Sequence, residues 1–190
     1  MGETSSDTRP DLQEYLMSIA VEVATRTNCR RTPVGALIVR DTRIISTGYN
    51  GTIPGYTNCL AGGCPRCSDP TAESGKALAI CICVHAEQNA LMTAARFGVA
   101  VDRAECWVTN EPCLECTKSL IQSGIEKVVY LRPYGAPGDA SHQLREEMRN
   151  HAQGSSAIVF EQWSTGTDVL GVEARYDAIA TRILGNRRDG

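Results

Sequence analysis

An α/β fold, with one sheet covered on both faces, follows from three features of this 190-residue chain. Strand-like and helix-like stretches alternate over its second half, and an early pair of β-branched runs reads as a hairpin. The hydrophobic share of 42% is enough to build the core of one domain.

The tail, residues 1–9, is polar and expected to be disordered, and a single domain runs from 10 to 185. The opening MGETSS fits the N-myristoylation pattern, with Gly2 and Ser6 in place; so short a match is common by chance, and a solvated tail is the simpler reading. Asp11 to Thr27 places Leu12, Leu16, Ile19, Ala20 and Val23 at helical spacing. Val34 to Val39 and Arg43 to Thr47, parted by Arg40-Asp41-Thr42, form the hairpin.

Residues 49–76 hold Gly51, Pro54, Gly55, Gly62, Gly63, Pro65, Pro70 and Gly75, which is loop composition and the body of a Cys-rich insertion at about 50–82. So long a loop needs something to tie it down. Helix is then expected at His85–Phe97, strand at Glu105–Thr109, and helix at Cys113–Gln122 with Gly124 just past its end. Strand at Lys127–Leu131, helix at His142–His151 and strand at Ala157–Glu161 follow. In the closing helix, Val169–Leu184, the stripe of Leu170, Val172, Tyr176, Ile179 and Ile183 is suited to cover a sheet edge or meet another subunit. The segment from Gly135 onward otherwise adds little to function, and residues 186–190 are expected to fray.

Charge and hydropathy exclude some roles. Nineteen Lys+Arg against 22 Asp+Glu give a net charge of −3, so no broad basic face exists and no nucleic-acid partner is expected. The longest apolar run, Ala77 to Val84, falls far short of the roughly 20 residues of a membrane span. Met1 to Pro10 lacks a secretory pattern, so a cytoplasmic location is expected. In that reducing setting clusters among nine cysteines are more often metal ligands or catalytic thiols than disulfides.

Two segments carry chemistry: His85-Ala86-Glu87 and Pro112-Cys113-Leu114-Glu115-Cys116, each opening an expected helix. His85, Cys113 and Cys116 make three zinc ligands and leave a fourth position for water, whose pKa zinc lowers towards neutrality. Helix N-termini favour thiolate over thiol, and Pro112 is tolerated there. Glu87, two residues beyond the ligand, is free to carry protons from the water to a ring nitrogen and a leaving amine. This H-x-E and P-C-x-x-C arrangement is the pattern of zinc-dependent nucleobase deaminases.

The chain resembles the deoxycytidylate deaminase branch of the cytidine deaminase superfamily. The matching pieces are Cys29-Arg30-Arg31, Val34-Gly35-Ala36, Gly48-Tyr49-Asn50-Gly51, His85-Ala86-Glu87-Gln88-Asn89-Ala90, Thr109 to Cys116 and Ser123-Gly124-Ile125. They run in family order across about residues 10 to 135. The resemblance implies a three-layer α/β/α fold around a mixed five-stranded sheet, and zinc-dependent conversion of dCMP to dUMP in pyrimidine nucleotide biosynthesis. It places Asn50 on the sugar, the Ala86 backbone on the pyrimidine edge and Tyr134 beside the base. An Asn in the left-handed conformation of a tight turn is the alternative for Asn50. Arg30, Arg31 and Arg132 are phosphate candidates, with solvated surface as the alternative for each. In some relatives dCTP activates and dTTP inhibits near G-Y-N-G, a control open to this chain, and homo-oligomers are common.

Cys59, Cys64 and Cys81, with Cys29 or Cys67 as fourth ligand, are candidates for a closed structural zinc that ties the insertion. Similar bacterial enzymes carry cysteines resembling Cys29, Cys59, Cys64 and Cys81. Cys83 and Cys106 are expected only to pack. Other readings are a deaminase of another nucleobase, nucleoside or nucleotide, and a redox protein using Cys64-Pro65-Arg66-Cys67. No helix is expected to start at that last motif, which weighs against redox use.

Overall fold

Asp11 starts the first helix, α1 (Leu12–Ala24), by accepting the Glu14 N–H on Oδ1 at 2.7 Å. The computed structural model describes residues 9–73, 77–135, 140–151, 158–164 and 168–185; the MGETSS pattern and the expected frayed end at 186–190 lie outside them. The helix stops at Ala24, short of the expected Thr27. Residues 25–27 continue as a tighter turn, with Thr25 N–H donating to Glu22 O at 3.1 Å and Thr27 N–H to Ala24 O at 3.1 Å. Thr27 is drawn aside by Asn50, its hydroxyl lying 2.8 and 2.7 Å from that residue's backbone and side-chain oxygens.

Period-two alternation builds the sheet. In β1 (Gly35–Arg40), Leu37 and Val39 join the core on one face, and Ala36 and Ile38 join it on the other. β2 (Arg43–Tyr49) returns antiparallel through Asp41 and Thr42, both at positive φ (51° and 63°), as a tight two-residue hairpin requires. It extends two residues past the expected Thr47. β3 (Gly51–Thr52) then pairs antiparallel with β4 (Cys83–Val84), so the insertion leaves and re-enters the domain as one small ladder. Within it, residues 59–61 form a 3-10 turn, and α2 (Pro65–Ser68) is a helix of four residues that the sequence reading excluded. Pro65 at its first position needs no hydrogen-bond partner, so a single turn forms despite Gly62-Gly63 before it and Pro70 after it.

β5 (Glu105–Asn110) pairs antiparallel with β1, whereas β6 (Lys127–Arg132) and β7 (Val159–Gln162) add in parallel, giving the order β2-β1-β5-β6-β7. This is the mixed five-stranded sheet expected. α3 (Ala86–Arg96) and α4 (Leu114–Gln122) cover one face through Ala86, Ala90 and Leu120. α5 (Ala140–His151) packs beside α4. α1 and α6 (Val172–Gly185) cover the other face through Leu16, Met17, Val172 and Tyr176. The stripe of α6 is thus spent on the sheet face. Val172 N–H donates to Asp168 Oδ1 at 2.7 Å, which explains a start three residues later than expected. Among the described residues no helix is long and apolar enough to cross a membrane.

Two glycines set how closely helices approach strands. A Cβ on Gly35 would stand 2.1 Å from Ala20 O of α1, and one on Gly48 would stand 2.2 Å from Ala86 O and 2.4 Å from Ala90 N of α3. Gly48 therefore serves helix–sheet contact, not a turn. Gly48→Ala is expected to lower unfolding free energy by about 3 kcal/mol or more, read by chemical denaturation, because backbone rather than side chain must yield.

Tyr176 fastens α6 beneath the ends of β1 and β5: its hydroxyl lies 2.5 Å from Asn110 Oδ1 and 3.1 Å from Pro33 O. Burial pushes this phenol up to about 12 from an ordinary value of 10.0, and the hydrogen bond to Asn110 offsets only part of that. Its stabilisation is complete below about pH 10 and disappears as the pH rises to about 12, since the unfolded phenol ionises first. Between about pH 9 and 12 the stability difference between wild type and Tyr176→Phe should shrink by about 2 kcal/mol in urea titrations.

Candidate metal centre and active-site cavity

β4 ends at Val84 and α3 begins at Ala86, so His85 is the N-cap, extended at φ −74°, ψ 156°. Cys113 is the N-cap of α4, and Cys116 lies one turn further on the same face. The two helix starts meet: His85 Nδ1 is 3.3 Å from the Sγ of Cys113 and 3.3 Å from that of Cys116. Zn–N bonds of about 2.0 Å and Zn–S bonds of about 2.3 Å would make that tetrahedral edge about 3.5 Å. One imidazole and two thiols thus fit a zinc ion in both donor type and spacing.

Electrostatics agree. A hydrogen bond from Cys116 holds the Cys113 thiol down to about 4 against the effect of burial, while Cys116 itself is pushed well up. Hydrogen bonding to Cys113 raises His85 to about 9. The three groups share protons that a divalent cation would displace. Glu87, only 4% exposed, points into the same space, and burial followed by the Cys113 charge pushes its carboxyl up to about 7.

These groups border a cavity of about 290 Å³ that also takes in Asn50, Ala86, Tyr134, Asn110 and Glu111. Asn50, Ala86 and Tyr134, the residues expected on the sugar and base, therefore line one space, but Asn50 is held differently from expectation. Asn50 is in no turn and has no positive φ; its N–H donates to Val34 O at 3.2 Å and extends the β1–β2 ladder. Its Oδ1 accepts Val34 N–H at 2.9 Å and faces the Thr27 hydroxyl, and its amide donates to Thr32 O at 2.8 Å. The acceptor half is occupied by structure, leaving one amide hydrogen for a ligand. Of the phosphate candidates, Arg31 lines the cavity, whereas Arg30 and Arg132 do not. Arg132 is held by Glu173 at 2.8 Å and Asp177 at 3.0 Å. Arg66, which the sequence reading passed over, lines the cavity beside Arg31 and is only 6% exposed.

The chain after Gly135 matters more than expected. Arg145 of α5 is fully buried, donating to Pro112 O at 3.0 Å and to Tyr134 O at 2.8 Å. Glu111 accepts Tyr134 N–H at 2.9 Å and Arg149 at 2.7 Å. Burial raises the Glu111 carboxyl, but these donors and Arg145 outweigh it and hold the group below the usual carboxylate range. The network pins the Cys113 and Tyr134 walls together. Helical periodicity marked α5, but not that its arginines turn inward.

The remaining cysteines are free thiols gathered in one buried knot, except for Cys106, which packs in the sheet core as expected. Cys83, expected only to pack, is gathered among them. Two quartets, Cys29-Cys59-Cys67-Cys83 and Cys64-Cys67-Cys81-Cys83, each have all Sγ atoms within 4.8 Å. Cys81 and Cys83 stand two residues apart in extended chain and so share a face, a signal that was present in the sequence. Cys59, expected on one ion with Cys64 and Cys81, falls in the other quartet; of the two alternatives, Cys29 belongs to one quartet and Cys67 to both.

Residues 10–132 match the family described as the cytidine and deoxycytidylate deaminase zinc-binding region. The chain belongs to this family. Its deaminase relatives include deoxycytidylate deaminase of Saccharomyces cerevisiae, 44% identical over 126 residues, which are 66% of this chain and 39% of that protein. The deoxycytidylate deaminase of Mycobacterium phage D29 is 41% identical over 64% of this chain and 95% of its own. The chain thus spans about two fifths of the yeast relatives it matches, at 39% and 42% of their lengths, but nearly all of the phage protein. Among solved structures, the dCMP deaminase of cyanophage S-TIM5 in complex with dCMP and dUMP superposes with a TM-score of 0.61 at 27% identity, over 82% of this chain and 98% of that one.

Arg145→Met should cost about 3 kcal/mol or more of unfolding free energy, measured by denaturation, because buried Pro112 and Tyr134 carbonyls would lose their donor.

Proposed function

We propose that this deaminase hydrolyses dCMP to dUMP and ammonia in the cavity at His85, Cys113 and Cys116. The carrying observation is that Glu87, buried and carboxylate-bearing, opens onto the same space as the three-ligand centre. The deoxycytidylate deaminase relatives and the S-TIM5 complex support the substrate.

Zinc held by these three residues supplies the Lewis acidity that makes water nucleophilic near neutral pH. Glu87 accepts a proton from the attacking water and passes protons to the ring nitrogen and the departing amine. Ala86 lies in the first turn of α3, where its N–H has no intrahelical acceptor and can donate to the pyrimidine carbonyl. The uncommitted Asn50 amide hydrogen meets a sugar hydroxyl, and Tyr134 borders the base. Arg31 and Arg66 bring positive charge for the phosphate.

A reducing compartment, which the nine free thiols favour, belongs to the same reading. Control by dCTP and dTTP and assembly into homo-oligomers rest on the family resemblance. Purified protein should release ammonia from dCMP, and Glu87→Gln should lower kcat by about 10²–10⁴-fold with zinc content unchanged. Full rate in the variant would remove Glu87 from its role. Inertness towards dCMP with turnover of cytidine or a free base would overturn the substrate.

A further inference from the structure

The six-cysteine knot is larger than one tetrahedral site can use. Its two quartets overlap in two members, Cys67 and Cys83. Cys29 and Cys59 complete one quartet, and Cys64 and Cys81 complete the other. Sharing of this kind is the arrangement of two tetrahedra joined along an edge.

Distances fit that geometry. Zn–S bonds of about 2.3 Å put the sulfurs of a tetrahedral site about 3.8 Å apart. Cys29 and Cys67 are 3.9 Å apart, Cys67 and Cys81 3.8 Å, and Cys64 and Cys81 3.8 Å. Cys67 thus makes tetrahedral-edge contacts with both terminal pairs. No pair is a disulfide, and five of the six are buried. Inorganic sulfide bridges would spread the thiolates of a quartet further than these contacts allow, which favours zinc over an iron–sulfur cluster.

Local structure delivers the ligands. Cys64 caps α2 and Cys67 lies one turn later, while Cys81 and Cys83 share one side of extended chain. Charge is also matched. Six thiolates around two zinc ions leave a doubly negative group, and Arg66, adjacent in sequence to Cys67 and nearly buried, stands on the same cavity wall as Arg31.

We infer that this chain holds a dinuclear zinc–thiolate cluster, with Cys67 and Cys83 as bridging ligands, Cys29 and Cys59 on one ion, and Cys64 and Cys81 on the other. The cluster stands apart from the His85 centre, yet Cys29, Cys67, Cys81 and Cys83 form one wall of its cavity. Four sulfurs on each ion leave no coordination position for water, and the cluster acts by fixing that wall.

The test is metal stoichiometry of the purified full chain, with and without His85→Ala, followed by ¹¹³Cd NMR of cadmium-exchanged protein. About three zinc ions per chain are expected, falling to about two in the variant, with two thiolate-range cadmium signals split by coupling through a shared sulfur. Two ions per chain, falling to one, would mean a single thiolate site and would overturn the cluster. Three ions with unsplit cadmium signals would overturn the bridging. Neither readout depends on turnover, so a protein with three ions that leaves dCMP untouched refutes the substrate alone, and an active protein with two refutes the cluster alone.

Discussion

Two helices have to open at one point, and the rest of the molecule is arranged around that constraint. His85 and Cys113 are the caps of α3 and α4, and their ligand atoms come within 3.3 Å. α3 reaches the point because Gly48 lets its backbone rest directly on β2. α4 reaches it from the carboxyl end of β5, the end of a parallel pair where open α/β sheets place their ligands. Aligned helix dipoles then favour negative charge where the thiolates and the buried carboxylate of Glu87 gather.

Around this point the chain satisfies its polar groups with few side chains. Arg145 alone answers two backbone carbonyls and, with Arg149, the carboxylate of Glu111. Arg31 and Arg66 play a similar part on the insertion: Arg31 reaches the carbonyls of Asp69 and Ala72, and Arg66 that of Glu73 at 3.0 Å. Both are also on the cavity wall, so the charge bordering the cavity is oriented by the loop that it stabilises.

Much of this was legible in the sequence, for identifiable reasons. The alternation of Ala36 to Val39 and the helical spacing of α1 are local and periodic, and the sheet followed from them. The candidate metal centre was legible because His85, Cys113 and Cys116 sit at fixed offsets from helix starts. What the sequence hid is non-local. Cys83 belongs to an apolar run, and the thiols it meets at Cys29, Cys59 and Cys67 come from distant parts of the chain. Arg66 lies between two cysteines, where a solvated residue is the ordinary expectation, and its burial depends on the folded insertion. Arg145 is thirty-three residues from Pro112, and no spacing rule joins them. Asn50 lines the cavity, but its acceptor is claimed by Thr27 and Val34, partners set by tertiary contact.

The β3–β4 ladder has a dynamic meaning. β4 is both the last element of the insertion and the lead-in to His85. Fraying it would release the start of α3 together with the loop, so the two open as one cooperative unit and not separately. Loosening of this ladder is therefore felt at the start of α3 as well as in the insertion.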